Sequence, residues 1–367
     1  MLSKKLAWLW PGLVSILIAG MYIGVRLSLY DFDPVALAEI GPKYATFDPE
    51  GEPGYDGQFS YYMARDLAPS QVEPYLDVPA YRYQRILYPL LARILAFGQE
   101  GLLGWTLLGL NWVVHGLATL GVCWVLEQRG TRPGYALIYG LWVGLIAAVG
   151  LDLHEPLAYG LVVGAWVLKE KRHEAVFALC LVLALFVKAT TLLFWAAALL
   201  PALQHRNQRK SLVILLAGGF LFLVWQVWLW SIFGSPGLGS GGDMATGFEW
   251  IPWMGMLRIG FVDWKVFGLF LLIFGPTIVL PSLWGIIVSV KSKKQIIEDW
   301  ATGALLLHAL LIVFLPFSTF REPLGIVRIA TGLVLSILMV SQERGYQRTL
   351  NYSLFWIPMI AMLIPQA

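Results

Sequence analysis

The chain has 367 residues, of which 58% are hydrophobic and only 13% charged, with a formal net charge of +3. Ordinary soluble domains carry about 25% charged residues, so water is excluded as the solvent for most of this surface, and no basic stripe is present to bind a nucleic acid. The 17 Trp, 15 Tyr and 19 Phe exceed what a packed core needs, and many sit at the ends of apolar runs, where amphipathic rings favour the lipid headgroup layer.

The N-terminus places Lys4 and Lys5 before an apolar stretch, as a secretory signal does. The stretch is too long for a signal and lacks a small-x-small cleavage site, so it reads as an uncleaved first span. Runs able to cross roughly 30 Å of hydrocarbon occupy 7–29, 104–126, 133–151, 211–232, 266–290, 300–317, 323–341 and 350–365. Six basic sites punctuate them: Lys4/Lys5, Arg129/Arg132, Lys169/Lys171/Arg172, Arg206/Arg209/Lys210, Lys291/Lys293/Lys294 and Arg344/Arg348. Positive charge favours the cytoplasmic side, which predicts a multi-pass inner (plasma) membrane protein with its N-terminus in the cytoplasm and the intervening loops outside.

Segment 174–203 starts and ends at basic loops yet is too short to cross twice, so it is expected to be a re-entrant or broken hairpin with Lys188 near its tip. Non-helical backbone at that depth requires surrounding protein or a watery cavity. The span at 156–168 is also short. The expected fold is therefore all-α integral membrane: a single transmembrane domain over 1–367, about 10–11 transmembrane or re-entrant helices, an external loop at 30–103 and a second at 233–263. Residues 81–98 read as an amphipathic helix lying at the outer interface. The second loop opens with a Gly-rich stretch and reads equally as a flap over a site or a plain linker. Cys123 and Cys180 fall inside apolar runs and are expected to be packing residues.

The densest polar cluster is Tyr55-Asp56-Gly57-Gln58, followed by Tyr61, Tyr62 and Arg65 at helical spacing. Asp56 is then either a helix cap or a reacting carboxylate. An external first loop with Asp-Gly-Gln, an aromatic helix, and an Arg-containing stretch ending in Leu-Tyr-Pro-Leu-Leu-Ala-Arg resembles the GT-C superfamily of integral-membrane glycosyltransferases. It looks most like bacterial relatives of the GPI-pathway mannosyltransferases, with Tyr55 in place of a Trp and Arg82 to Pro89 in place of a Phe-Pro segment.

The resemblance implies a polyprenyl-phosphate-sugar donor whose lipid phosphate is the leaving group, a lipid or glycan acceptor in the cell envelope, and an acidic residue of the first external loop at the reacting centre. Asp56 matches that position, where a carboxylate can take the acceptor's proton. Glu155, in Asp152-Leu153-His154-Glu155-Pro156, matches the acid of the second loop, aimed outward from a cap or acting as one. Tyr55, Gln58, Tyr61, Tyr88 and His154 are the candidate substrate contacts. No cofactor is called for; a divalent cation on the Asp152/His154/Glu155 trio is the one metal option.

A departing phosphate needs fixed cations. Arg82, Arg85, Lys188, Arg321 and Arg328 are the candidates. A cation in an apolar span costs about 2.5–3.5 kcal/mol unless it faces a cavity or a partner, which singles out Lys188 and Arg328. Arg321 and Arg328, seven apart, fall on one helical face, with Glu322 able to pair with either; Arg321 also suits an interfacial anchor, and Arg82 and Arg85 suit anionic headgroups. His115 and His308 are expected to bond helix to helix. Two other functions stay open: a transporter or flippase of a lipid-linked sugar, and a non-catalytic partner in surface-polymer assembly.

Overall fold

The computed structural model describes residues 7–364, so Lys4 and Lys5 lie outside the described residues. Five helices among these are long and apolar enough to cross a membrane: Trp10–Ser28, Glu100–Gln128, Arg206–Phe233, Trp264–Lys291 and Pro323–Glu343. They correspond to five of the eight apolar runs, and the described chain is all-α with five helices of membrane-spanning length and apolarity.

The other three runs differ from simple spans for local reasons. Run 133–151 is two helices, Pro133–Gly140 and Val143–Gly150, bent by 53°. The Gly140 carbonyl freed at the break accepts bonds from Ser15 Oγ (2.7 Å) and His115 Nε2 (2.9 Å), so that buried acceptor is not left unsatisfied. Run 300–317 is helical only over Trp300–Val313, and run 350–365 is a short α-helix, Gln347–Ser353, continued as a 3-10 helix through Leu363. His115 thus bonds between helices as expected. His308 does not: its Nδ1 pairs with Ala304 O one turn back in its own helix, and across the interface it offers only its ring to Phe194, 4.3 Å away.

Segment 174–203 forms two short apolar helices, Glu174–Leu185 and Ala189–Gln204. Lys188 sits between them in extended backbone (φ −155°, ψ 128°), at the tip of the expected hairpin. Residues 81–98 depart from expectation. There is no continuous interfacial helix, because the stretch divides into Pro79–Tyr83 and Leu87–Leu95, and Arg82 and Arg85 are each only 5% exposed. Their guanidinium groups are drawn inward by carboxylates and rings rather than outward to headgroups. Only the far end, Ile94, Leu95 and Phe97, shows an apolar surface.

The helices carry the two kinds of loop to opposite ends. At one end the basic loops gather: Arg129 pairs with Glu170 (2.8 Å), Lys171 lies over Trp124, Lys169 over Phe177 and Trp300, and Arg344 donates to Ser292 (2.8 Å). At the other end lie the first loop, the turn at 151–155, the hairpin tip and the start of Pro323–Ile329. Close backbone approach holds this end together. A Cβ on Gly144 would stand 2.4 Å from the Val327 carbonyl, which also accepts from Trp142 Nε1 at 2.8 Å, so a glycine is what lets helix Val143–Gly150 press against the residue preceding Arg328.

Segment 234–253 is neither free linker nor detached flap. Gln84 Nε2 holds the Gly237 carbonyl (2.9 Å), and Glu249 N and Trp253 N bond Phe314 O and Val313 O. A helix, Met254–Val262, already begins within the expected loop.

Candidate functional site

The first loop delivers its acid through one glycine. Helix Gly57–Arg65 starts after Asp56, and a Cβ on Gly57 would lie 2.2 Å from the Leu151 carbonyl. Only glycine allows that approach, and it seats Asp56 against the turn at 151–155. Gln58 then braces the preceding turn, accepting from Gly41 N (3.2 Å) and donating to Pro53 O (2.6 Å) and Tyr55 O (3.0 Å). Gly57→Ala is expected to lower stability by about 1–3 kcal/mol, the usual cost of overpacking, and to reduce any Asp56-dependent activity; unchanged melting and activity would contradict the role given to this contact.

Asp56 occupies the cap position of that helix but its side chain makes no capping bond. It bridges two arginines instead: Oδ1 lies 2.8 Å from Arg82 Nη1 and Oδ2 lies 3.0 Å from Arg328 Nη2. Each arginine holds a second carboxylate. Arg82 grips Asp77 through Nε and Nη2, both at 2.7 Å, and Arg328 Nε lies 2.7 Å from Glu155 Oε1. Glu155 Oε1 also accepts from Lys188 Nζ at 2.8 Å. The result is one alternating chain, Asp77, Arg82, Asp56, Arg328, Glu155, Lys188, drawn from the first loop, the turn at 151–155, the hairpin tip and the last long span.

These six side chains line one cavity of about 610 Å³, together with Arg85, Tyr81, Tyr55, Arg321, Glu322 and residues 242–245. The side chains of Arg82, Asp77, Arg328 and Lys188 are 6–7% exposed and Glu155 is fully buried, whereas Asp56 is 28% exposed. Asp56 is therefore the acid in the chain that a ligand can reach. Burial alone would raise its carboxyl, but Arg82, then Arg328 and Arg85, outweigh that and hold it below the ordinary carboxylate range. Asp77 is lowered likewise, burial being outweighed by its bonds to Arg82.

Arg85 breaks the symmetry. It makes no ion pair among the described residues, its Nε has no hydrogen-bond partner there, and its guanidinium rests 4.1 Å from the Tyr81 ring centroid. Three cations and three anions in the chain cancel, so Arg85 leaves the cavity one positive charge in excess. Tyr81 lies between Arg85 and Arg82, the latter at 5.0 Å. Burial would raise its phenol, yet Arg85 and Arg82 bring it below its ordinary value.

Several expected contacts lie elsewhere. Tyr88 is fully buried, donating to Leu107 O (3.0 Å) and accepting from Asn111 Nδ2 (2.7 Å). His154 is 2% exposed and stacks edge-on against Tyr88; Tyr61 packs against Tyr62. None of the three lines the cavity, because each finds its partners in the core beneath. Glu155 is not aimed outward from a cap: it is the first residue of helix Glu155–Glu170 and lies under the cavity between two cations. Glu322 pairs with neither arginine but accepts from Tyr55 Oη (2.5 Å), whose oxygen in turn accepts from Arg328 Nη1 (3.0 Å). Arg321 is exposed, over Phe317, and the helix is interrupted at Glu322, so the shared face with Arg328 is lost. Among the described residues no group of three His, Cys, Asp or Glu side chains converges to hold a metal ion. The Asp152 carboxylate is buried, at a left-handed φ of 51°, with neither oxygen bonded within the described residues.

Asp77 and Tyr81 are the members that sequence reasoning missed. The Tyr81/Arg85 pair has the i, i+4 spacing at which a ring and a cation meet on one helical turn, and that signal was available. No family model, curated protein or solved structure matches the chain. Fold and site together define a class, an all-α protein with several helices of membrane-spanning length and a buried charge network open to a cavity at one end of them.

Proposed function

We propose that this protein is a GT-C-type glycosyltransferase that moves a sugar, with inversion, from a polyprenyl-phosphate donor to a cell-envelope acceptor, using Asp56 as the base. The observation that carries the reading is the charge balance of the cavity: an alternating chain that is neutral, plus one unpaired arginine. A phosphate diester brings one negative charge, which Arg85 matches.

The balance also holds through the reaction. Without Asp56 the cluster carries two positive charges. Before transfer, the Asp56 carboxylate and the diester supply one negative charge each. Asp56 then takes the acceptor's hydroxyl proton, the acceptor oxygen bonds the anomeric carbon, and the carbon–oxygen bond to phosphate breaks with its electron pair on the phosphate. The products are neutral protonated Asp56, the glycosylated acceptor and a lipid phosphate dianion, so the negative charge has moved from Asp56 to the phosphate while the cluster stays matched. Preorganised cations aimed at the developing charge are the largest lever in such a step. Tyr55 and Arg321 line the same cavity, and the basic loops at the opposite end support a cavity facing away from the cytoplasm.

The test uses the full chain in proteoliposomes with a short isoprenyl-phosphate sugar, labelled in the sugar, and an envelope lipid extract as acceptor. Labelled product and released isoprenyl phosphate are expected, and Arg85→Ala should lower turnover by roughly 10²–10³-fold, as removal of one fixed donor to a developing oxyanion does. Passage of intact donor across the bilayer without turnover, or Arg85→Ala at wild-type rate, would reject the reading.

A further inference from the structure

We infer that Asp56 is itself the anion that occupies this cavity at rest, and that an incoming phosphate takes over its seat on Arg82 and Arg328. The inference rests on the cavity being a phosphate site, as proposed above, and adds how the site is kept and opened.

The geometry separates Asp56 from the other acids. Asp77 makes a two-point contact with Arg82 and also accepts from Val78 N (2.7 Å) and Asp243 N (3.2 Å). Glu155 is fully buried between Lys188 and Arg328. Both are fixed from several sides. Asp56 has one contact per arginine, no capping bond and the largest exposure of the set. If Asp56 leaves, neither arginine is stranded: Arg82 keeps Asp77 and Arg328 keeps Glu155, so the exchange avoids the penalty of an unpaired buried charge. The two guanidinium nitrogens it vacates, Arg82 Nη1 and Arg328 Nη2, are held on either side of one small carboxylate, a spacing that two oxygens of a tetrahedral phosphate can also bridge. Arg85 stands on the same cavity wall with its Nε unbonded.

A consequence for catalysis follows. A carboxylate clamped by two arginines is a weak base, since its protonated form is strongly disfavoured. Once the phosphate has taken the arginines, Asp56 is released beside it with a higher proton affinity, so donor binding creates the base only where a leaving group is already in place. Water or acceptor alone meets an inert carboxylate.

The substitution that would ordinarily be read as loss of a site residue should therefore strengthen binding. Inorganic phosphate and farnesyl phosphate serve as probes, titrated into detergent-solubilised full-length chain by calorimetry at fixed salt. Asp56→Asn is expected to bind farnesyl phosphate at least roughly tenfold more tightly than wild type, because a competing like charge at contact distance is gone. Asp77→Asn removes the same charge without vacating the seat, and its gain should be roughly twofold or less. Asp56→Ala, judged by monodispersity and melting to be folded, provides a second variant and should behave as Asp56→Asn. Tighter binding confined to farnesyl phosphate assigns the seat to a lipid headgroup, and equal tightening for both probes assigns it to phosphate whatever its attachment; either supports the displacement. Binding by Asp56→Asn that is unchanged or weaker, or an Asp77→Asn gain equal to it, overturns the displacement. Because no sugar transfer is measured, that failure is distinct from failure of the glycosyltransferase reading.

Discussion

Asp56→Asn is expected to lower sugar transfer by about 10²–10⁴-fold, the usual contribution of a positioned general base, with KM for the donor falling rather than rising. The amide cannot take the acceptor's proton, so kcat collapses. It also carries no charge to compete with the donor phosphate, so ground-state binding improves. A fall in both constants is the signature of removing an interaction that opposes the bound ground state. The fold should survive, because Arg82 and Arg328 each retain a second carboxylate. Steady-state kinetics in proteoliposomes read both constants. Wild-type kcat would end the base assignment, and a raised KM with unchanged kcat would make Asp56 a mere binding contact.

The second large effect concerns stability. Arg328 lies within the long apolar helix Pro323–Glu343 and bonds three groups: Glu155 (2.7 Å), Asp56 (3.0 Å) and the Tyr55 oxygen (3.0 Å). Arg328→Met leaves Glu155 fully buried with Lys188 alone, and loss of one partner from a buried network costs about 3–5 kcal/mol. Arg328→Lys keeps the charge but replaces a planar five-donor fork by a point charge that cannot reach three acceptors on different elements, so it should be nearly as harmful. Pairing Arg328→Met with Asp56→Asn removes the excess anion, leaving Asp77 with Arg82 and Glu155 with Lys188, and should restore a large part of the stability. Thermal melting of the four proteins distinguishes the cases: a single Arg328→Met variant as stable as wild type, or a double variant no better than the single, would show that the network does not hold this end of the molecule together.

The residues that sequence reasoning placed well share one property, that their signal is local. Hydropathy over some twenty residues marks a membrane-length helix whatever it packs against, and five such runs reappear as helices. Lys188 and Arg328 stood out because a charge in an apolar run has a cost that demands a partner, so the need for a partner was legible even though the partner was not. The hairpin tip at Lys188 followed from the shortness of a segment bounded by basic loops at both ends.

What stayed hidden depends on contacts between distant segments. Arg328 finds Asp56 across 272 residues and Glu155 across 173, and no periodicity carries such information. For that reason Arg82 and Arg85 read equally as phosphate-binding cations and as headgroup anchors in the sequence, and only the fold turns them inward to the cavity. Tyr88 and His154 look like site residues beside polar neighbours, yet the core satisfies them first. The sequence by itself determined the membrane-length apolar helices, the helical class and which charges needed a partner, since these follow from transfer energies summed over neighbours in the chain. Only the tertiary structure decided which acid meets which base, which of them a ligand can reach and where one positive charge is left over, since each depends on distances between side chains that the chain order leaves free.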